Sequence, residues 1–245
     1  MKVLAIGNSF SDDAMRYLHR IAEAGGIDMK TVNLYIGGCP LSRHYANMNN
    51  DAEEYDFEYN GDSTGIKVSI RRALQSDLWD VVTLQQVSQE SVDYDTYQPY
   101  LQRLAEYVKL HAPKARLMIH QTWAYEEGSA RLNNELGYSS QRAMFDDLKS
   151  AYDEAAHSLG DVQIIPSGQT MQYLIEAGMK KVHCDTFHAT IGAGRYALGL
   201  VWYEILTGKS CIVNTFSKFD EPVSEADAEN AQQAAHRAAS ENSRN

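Results

Sequence analysis

Five short apolar runs alternate along the chain with longer segments of helical periodicity, and this alternation restricts the fold more than any other feature. The runs occupy residues 2–6, 31–36, 80–84, 116–120 and 162–166. Strands that are joined by helices run parallel, because each helix carries the chain back to the edge where the previous strand began. We therefore predict an α/β protein, a three-layer α/β/α sandwich around a mostly parallel, five-stranded sheet. Its ligand site should lie beyond the carboxyl ends of the strands.

Two long segments and the C-terminal tail have no strand signal. Residues 41–75 are rich in Asn, Asp, Glu and Tyr and are predicted to mix loop with short helix, while residues 124–139 follow the fourth strand. Both segments are expected either to border the substrate entrance or to be solvated surface. From Glu221 onward, Ala alternates with polar residues, which predicts a surface helix that frays after His236. Residues 1–245 are interpreted as one domain.

The composition excludes several classes of partner. A net charge of -11 without a local run of Lys and Arg disfavours nucleic acid and anionic membranes. Three cysteines without paired spacing do not indicate a disulfide framework. No apolar stretch is long enough to span a membrane, and residues 1–7 are too short for a signal-peptide core. We expect a cytoplasmic protein if Met1 is the natural start, and a secreted or periplasmic one if a signal peptide has been removed.

Ser9 is a candidate nucleophile. It follows the first predicted strand in the segment Gly7-Asn8-Ser9-Phe10-Ser11, just before a helix start. A serine hydroxyl is a poor nucleophile until a neighbouring base takes its proton, and that base works best when a third group orients it. At a strand-to-helix corner, the hydroxyl would also lie near amides that can bind an oxyanion. A serine that only caps the helix would give the same local pattern.

A matching base lies near the other end of the chain, in the segment 184–190. Asp185 and His188 are three residues apart at a loop-to-helix junction, so the carboxylate can accept from one imidazole nitrogen while the other faces Ser9. We predict His188 as the base and Asp185 as its orienting residue. Two alternatives stay open, a helix cap by Asp185 and a metal cluster of His183, Cys184, Asp185 and His188. No metal is predicted, because no second ligand group with zinc-like spacing occurs elsewhere.

With both blocks in place, the sequence resembles the SGNH, or GDSL-like, hydrolases, which carry a nucleophilic serine after the first strand and an Asp-x-x-His pair near the C-terminus. It looks most like a branch long left as a domain of unknown function, whose first block is also Gly-Asn-Ser-Phe-Ser. The resemblance covers residues 3–210. It implies a flavodoxin-like (SGNH hydrolase) fold and a triad of Ser9, His188 and Asp185 that needs no cofactor.

The resemblance also implies an oxyanion hole made by the Ser9 amide, a middle glycine and a middle asparagine. Gly38, after the second predicted strand, matches the glycine, and a plain tight turn is its alternative. The asparagine is absent: after the third strand, either Gln89 or Gln86 takes its place. Glutamine has the same amide and one more methylene, so this departure affects the geometry of the site rather than the presence of a donor.

Aromatic residues follow the fourth predicted strand. Aromatic faces at the rim of a site suit sugar rings, so Trp123 and Tyr125 are candidate substrate-binding residues, although half-buried structural roles also fit them. His120 is expected to be a structural histidine. The other helical or loop histidines expected to face solvent are His19, His44, His111 and His157.

These residues predict a serine esterase that removes an acyl group, foremost acetyl, from a carbohydrate. The expected partner is a small-molecule or oligosaccharide ester. Two alternatives remain, a lipase- or thioesterase-like enzyme and a carbohydrate-binding module without turnover, and the absent asparagine favours the second of them. Binding of a nucleotide or flavin is disfavoured, because the first turn lacks a phosphate-binding glycine pattern.

Overall fold

A seven-stranded sheet forms the centre of the computed structural model, which describes residues 1–242. The strands are β1 (Lys2–Gly7), β2 (Lys30–Tyr35), β3 (Tyr55–Tyr59), β4 (Asp62–Val68), β5 (Val81–Leu84), β6 (Arg116–His120) and β7 (Ile164–Ile165). Their order in the sheet is β4-β3-β2-β1-β5-β6-β7. The five strands β2, β1, β5, β6 and β7 run parallel and coincide with the five predicted runs. The predicted α/β class is therefore confirmed.

Helices cover the sheet in two groups. They are α1 (Ser9–Met15), α2 (Leu18–Ala24), α3 (Leu41–Asn50), α4 (Ile70–Gln75), α5 (Tyr100–His111), α6 (Gln141–Ser158), α7 (Ser167–Glu176), α8 (Ala193–Thr207) and α9 (Glu225–Asn242). Helices α1, α2, α7, α8 and α9 contact one another, and α3, α4 and α5 form a second connected group. A 3-10 turn (Tyr94–Tyr97) and a π-helical turn (Arg131–Glu135) lie in the connections. No helix among these residues has the length and apolar character to cross a membrane.

The prediction of five strands is wrong in number, because the segment 41–75 contains a hairpin as well as α3 and α4. Strands β3 and β4 pair antiparallel with each other, and β3 pairs antiparallel with β2. Asn60 and Gly61 connect them with φ angles of 52° and 83°, the left-handed conformations that a two-residue hairpin turn requires. A side chain at position 61 would meet the Arg16 carbonyl oxygen at 2.3 Å, so glycine is needed there.

The last helix also differs from its prediction. Helix α9 continues past His236 to Asn242, because a stripe of alanines on one face is buried against the rest of the protein. Helix α8, which is apolar on nearly all sides, makes the most extensive contact with it. Small side chains let two helices approach closely, and this packing stabilises the part that was expected to fray.

The sheet order determines where a ligand site can form. The chain leaves β1 toward β2 on one side, while it leaves β5 toward β6 on the other side. Adjacent parallel strands whose connections diverge leave a crevice beyond their carboxyl ends. The segments that follow β1, β2 and β5 therefore meet at this crevice, and these segments carry Ser9, Gly38 and Gln89.

Candidate active site

The structure brings Ser9, His188 and Asp185 together in one chain of hydrogen bonds. Ser9 begins α1, and its Oγ lies 2.8 Å from His188 Nε2. His188 Nδ1 lies 2.7 Å from Asp185 Oδ2. An ionised carboxylate only accepts hydrogen bonds, so Nδ1 carries the proton and the neutral imidazole presents Nε2 as the acceptor for the serine hydroxyl. The two ends of the sequence thus bring the candidate nucleophile, base and orienting carboxylate into contact.

Asp185 holds the backbone of the histidine as well as its ring. Its Oδ1 accepts from the His188 amide at 2.9 Å. Burial acts to raise the pKa of Asp185, but hydrogen bonds from the His188 side chain and backbone outweigh it, and the pKa lies below its ordinary value. Between the two residues, Thr186 has a φ of 81°, a strained conformation for a β-branched residue. Its carbonyl accepts from the Glu126 amide at 2.7 Å, which helps to hold the turn.

Asn8 joins the start of α1 to two neighbouring loops. Its Oδ1 caps the helix by accepting from the Phe10 amide at 3.0 Å and also accepts from Gln85 Nε2 at 2.8 Å. Its Nδ2 donates to the Cys39 carbonyl at 3.1 Å, next to Gly38. The capping role can be inferred from the sequence, because asparagine before a helix is a common N-cap. The bonds to Gln85 and Cys39 connect distant segments, and no local signal indicates them.

Asp13 ties the other end of α1 to the histidine segment. Its carboxylate is buried and accepts from the Ala189 amide at 2.9 Å and from Arg195 Nε at 2.8 Å. Burial raises the pKa of Asp13 to about 6, against the lowering effect of Arg195. An aspartate in the first turns of a helix is common, so its local sequence does not indicate this role. Asp13 connects the helix that carries Ser9 directly to the residue after His188.

A cavity of about 430 Å³ opens at the Ser9 hydroxyl. Its lining includes Ser9, His188, Gly38, Gln89, Tyr35 and Ser88. Gly38 has a φ of 60°, a left-handed conformation that favours glycine, and a Cβ added there would meet no atom within 4 Å. Backbone conformation, rather than a lack of space, is therefore the reason for glycine at this position.

The two candidate glutamines have different surroundings. Gln89 is exposed and lines the cavity. Gln86 is buried, and its Oε1 accepts from the amides of Leu41 and Val87 at 2.9 Å each. Its Nε2 donates to the Thr96 carbonyl at 3.1 Å, away from the cavity. The expectation that Gln86 supplies an oxyanion donor is therefore wrong, because its amide is occupied in holding the start of α3.

Comparison with known proteins assigns the chain to a family. The sequence profile of a family described as "Domain of unknown function (DUF4886)" matches residues 2–238. The chain belongs to the DUF4886 family. A crystal structure of a DUF4886 family protein from Bacteroides uniformis is 36% identical, with a TM-score of 0.88 over 97% of this chain and 94% of that chain. No curated protein matches the chain.

More distant structures share the fold of this DUF4886 chain. A protein from Slackia heliotrinireducens, described as a candidate SGNH hydrolase, is 24% identical with a TM-score of 0.60 over 83% of this chain and 97% of that one. Phospholipase A1 from Streptomyces albidoflavus is 15% identical with a TM-score of 0.52, over 85% and 98% of the two chains. The DUF4886 chain therefore has the fold of the SGNH hydrolases, as predicted.

Trp123 and Tyr125 do not lie at the rim of the site, contrary to the prediction. Both are at most 1% exposed. The Trp123 ring stacks on Phe10 with centroids 4.1 Å apart, and its Nε1 donates to the Phe187 carbonyl at 2.7 Å. The Tyr125 hydroxyl lies 2.9 Å from Ser88 Oγ. Their polar atoms are satisfied inside the protein, so they support the residues that line the cavity from behind.

The buried histidines of the DUF4886 chain are structural. His120 lies between Gln85 Oε1 at 2.7 Å and Ser167 Oγ at 3.0 Å, and burial lowers its pKa to about 3. His44 was expected to face solvent, but it is fully buried and hydrogen-bonded to the Tyr55 hydroxyl at 2.9 Å. Within residues 1–242, no three His, Cys, Asp or Glu side chains are grouped in a way that could hold a metal ion.

Proposed function

We propose that this DUF4886 chain is a serine ester hydrolase that removes an acyl group, foremost acetyl, from a carbohydrate. One observation carries the proposal: the hydrogen bonds from Ser9 to His188 and from His188 to Asp185 end at a cavity that Gly38 and Gln89 also line. Nucleophile, base and orienting group within hydrogen-bonding distance are the arrangement that activates a serine. The fold shared with SGNH hydrolases agrees with this chemistry.

The reaction proceeds through an acyl-enzyme. Ser9 Oγ attacks the acyl carbon while His188 Nε2 takes the hydroxyl proton, and Asp185 stabilises the imidazolium that forms. The amides of Ser9 and Gly38 and the side chain of Gln89 bind the oxyanion, where one such donor is worth about 2.7–4 kcal/mol in the transition state. His188 returns the proton to the leaving alcohol. It then takes a proton from water, which attacks the acyl carbon, and it gives this proton to Ser9 Oγ as the acyl–Oγ bond breaks and the free acid leaves.

Four polar side chains in the cavity lining support a sugar as the alcohol portion of the ester. Tyr35, Ser88, Gln89 and Glu135 bring hydroxyl, amide and carboxylate groups to its wall. Sugar hydroxyls can exchange hydrogen bonds with such groups.

Replacement of Ser9 tests the mechanism. Ser9→Ala should abolish acetate release from acetylated oligosaccharides and labelling by a fluorophosphonate, with an unchanged circular dichroism spectrum. Ser217 is an exposed serine far along the chain, and Ser217→Ala is the matched control. This variant should keep both acetate release and fluorophosphonate labelling. Wild-type activity in Ser9→Ala would exclude the mechanism. A preference for 4-nitrophenyl esters of increasing chain length over acetylated oligosaccharides would exclude the carbohydrate assignment.

A further inference from the structure

One arginine in the cavity lacks an acidic partner. Among residues 1–242, every arginine other than Arg116 and Arg131 has a carboxylate oxygen within 4.0 Å. Arg116 lies at the surface and bonds to the Gln163 side chain, whereas Arg131 lines the same cavity as Ser9 and His188. A chain with 33 acidic residues and a net charge of -11 has many carboxylates to pair with an arginine. An arginine without one at an open cavity is therefore a candidate for binding an anion from outside.

The guanidinium of Arg131 is held in position without being neutralised. Its central carbon lies 4.1 Å from the centre of the Phe187 ring, a cation–π contact that restrains the group. The Phe187 ring packs on the His188 ring with centroids 3.9 Å apart. Burial raises the pKa of Tyr125 and Arg131 acts to lower it, so the guanidinium also faces that hydroxyl. These contacts place a fixed positive charge one aromatic ring away from the base.

We infer that Arg131 binds a carboxylate on the alcohol portion of the substrate, so that the enzyme acts on O-acylated sugar acids. This inference rests on the proposed esterase function. The planar guanidinium has five N–H donors and matches a carboxylate in a bidentate pair. Glu135 lies on the same π-helical turn and also lines the cavity, but no ion pair joins it to Arg131. Its carboxylate can accept hydrogen bonds from sugar hydroxyls, so a ligand with one acid and several hydroxyl groups fits both residues.

Matched substrates test the inference. Acetylated glucuronic acid and its acetylated amide differ in charge at one position only. The wild-type protein should hydrolyse the acid with a kcat/KM about 10- to 100-fold higher than the amide, the size expected for a charge-assisted hydrogen bond. In Arg131→Gln this ratio should fall to about one, chiefly through KM for the acid. Arg116→Gln removes the other arginine without a carboxylate partner and should keep the wild-type ratio.

A second measurement separates this inference from the esterase proposal. Calorimetry can follow the binding of free glucuronic acid and of glucuronamide to the Ser9→Ala variant, which does not depend on turnover. If the variant binds the acid, and if adding Arg131→Gln weakens this binding, the inference is supported. This holds even if no ester is hydrolysed and the esterase proposal fails. If the wild-type protein has a kcat/KM ratio of acid to amide near one and binds the free acid and amide equally, the inference is overturned. Hydrolysis of both esters would then still support the esterase proposal.

Discussion

Replacing Asn8 by alanine tests whether the first turn of α1 holds the loop of Gly38 in place. Asn8 is 1% exposed, and its side chain makes three hydrogen bonds. Two of them are accepted from Phe10 and Gln85, and the third is donated to the Cys39 carbonyl, directly after Gly38. Alanine removes all three at once. Both the stability of the protein and the position of the Gly38 amide should therefore change.

The size of the effect follows from these bonds. Loss of an asparagine N-cap costs about 1 kcal/mol. The Gln85 amide and the Cys39 carbonyl then lose a partner in a buried region, at about 1–3 kcal/mol for each group that stays unsatisfied. The terms are not additive, so we expect Asn8→Ala to lower the free energy of unfolding by roughly 2–4 kcal/mol. A shift of the Gly38 amide should also lower kcat/KM by about 100-fold, since small misplacements near the reacting atoms have effects of this size.

Asn8→Asp is the matched control. Aspartate keeps an oxygen for the Phe10 amide and for Gln85, but it puts a second oxygen opposite the Cys39 carbonyl, where a donor is needed. Because its charge is buried and faces a carbonyl oxygen, it should lose at least as much stability as alanine and also show a reduced kcat/KM. Urea unfolding at pH 7 and acetate release measure the two quantities. Wild-type kcat/KM in both variants, or a loss of stability below about 1 kcal/mol in Asn8→Ala, would refute the reasoning.

Two further predictions concern Gln89 and His120. Gln89→Ala should lower kcat by about 10²–10³-fold and leave the midpoint of urea unfolding unchanged. Gln86→Ala should lower that midpoint, because it leaves the amides of Leu41 and Val87 without an acceptor. Equal midpoints in the two variants would contradict this distinction. In the folded protein the pKa of His120 is about 3, against an ordinary value of 6.5. Between these pH values the unfolded state binds more protons than the folded state. The stability of the protein therefore falls as the pH is lowered from about 6.5 toward 3. His120→Gln should reduce that slope by about 1.4 kcal/mol per pH unit in urea unfolding, and an unchanged slope would show that His120 does not contribute to it.

The sequence predicts the parallel part of the sheet well because strand–helix–strand units leave a regular pattern in the chain. The hairpin of β3 and β4 had a visible signal, since Asn60-Gly61 directly follows a short run of alternating aromatic and acidic residues, 55–59. The richness of 41–75 in Asn, Asp and Glu favoured a loop instead. The antiparallel pairing with β2 stabilises residues whose local composition disfavours a strand.

The site is predictable in part for a similar reason. Ser9, Asp185 and His188 lie in short blocks whose chemistry is visible locally, and the strand order implies that the segments carrying Ser9, Gly38 and Gln89 meet. The surroundings of Gln86 and Trp123 are not visible in this way. Gln86 is occupied because α3 begins beside it, and Trp123 is buried because Phe10 covers its ring. Both facts depend on packing between segments that are far apart in the sequence.

Contacts at both ends of helix α1 determine where Ser9 lies in the site. At seven residues it is too short to be stable alone, so contacts at its two ends determine its position. At one end Asn8 binds the loop of Gly38, and at the other Asp13 binds the segment of His188. Ser9 lies between these two contacts. The contacts at the two ends of α1 therefore set the position of Ser9 relative to both the loop of Gly38 and the segment of His188.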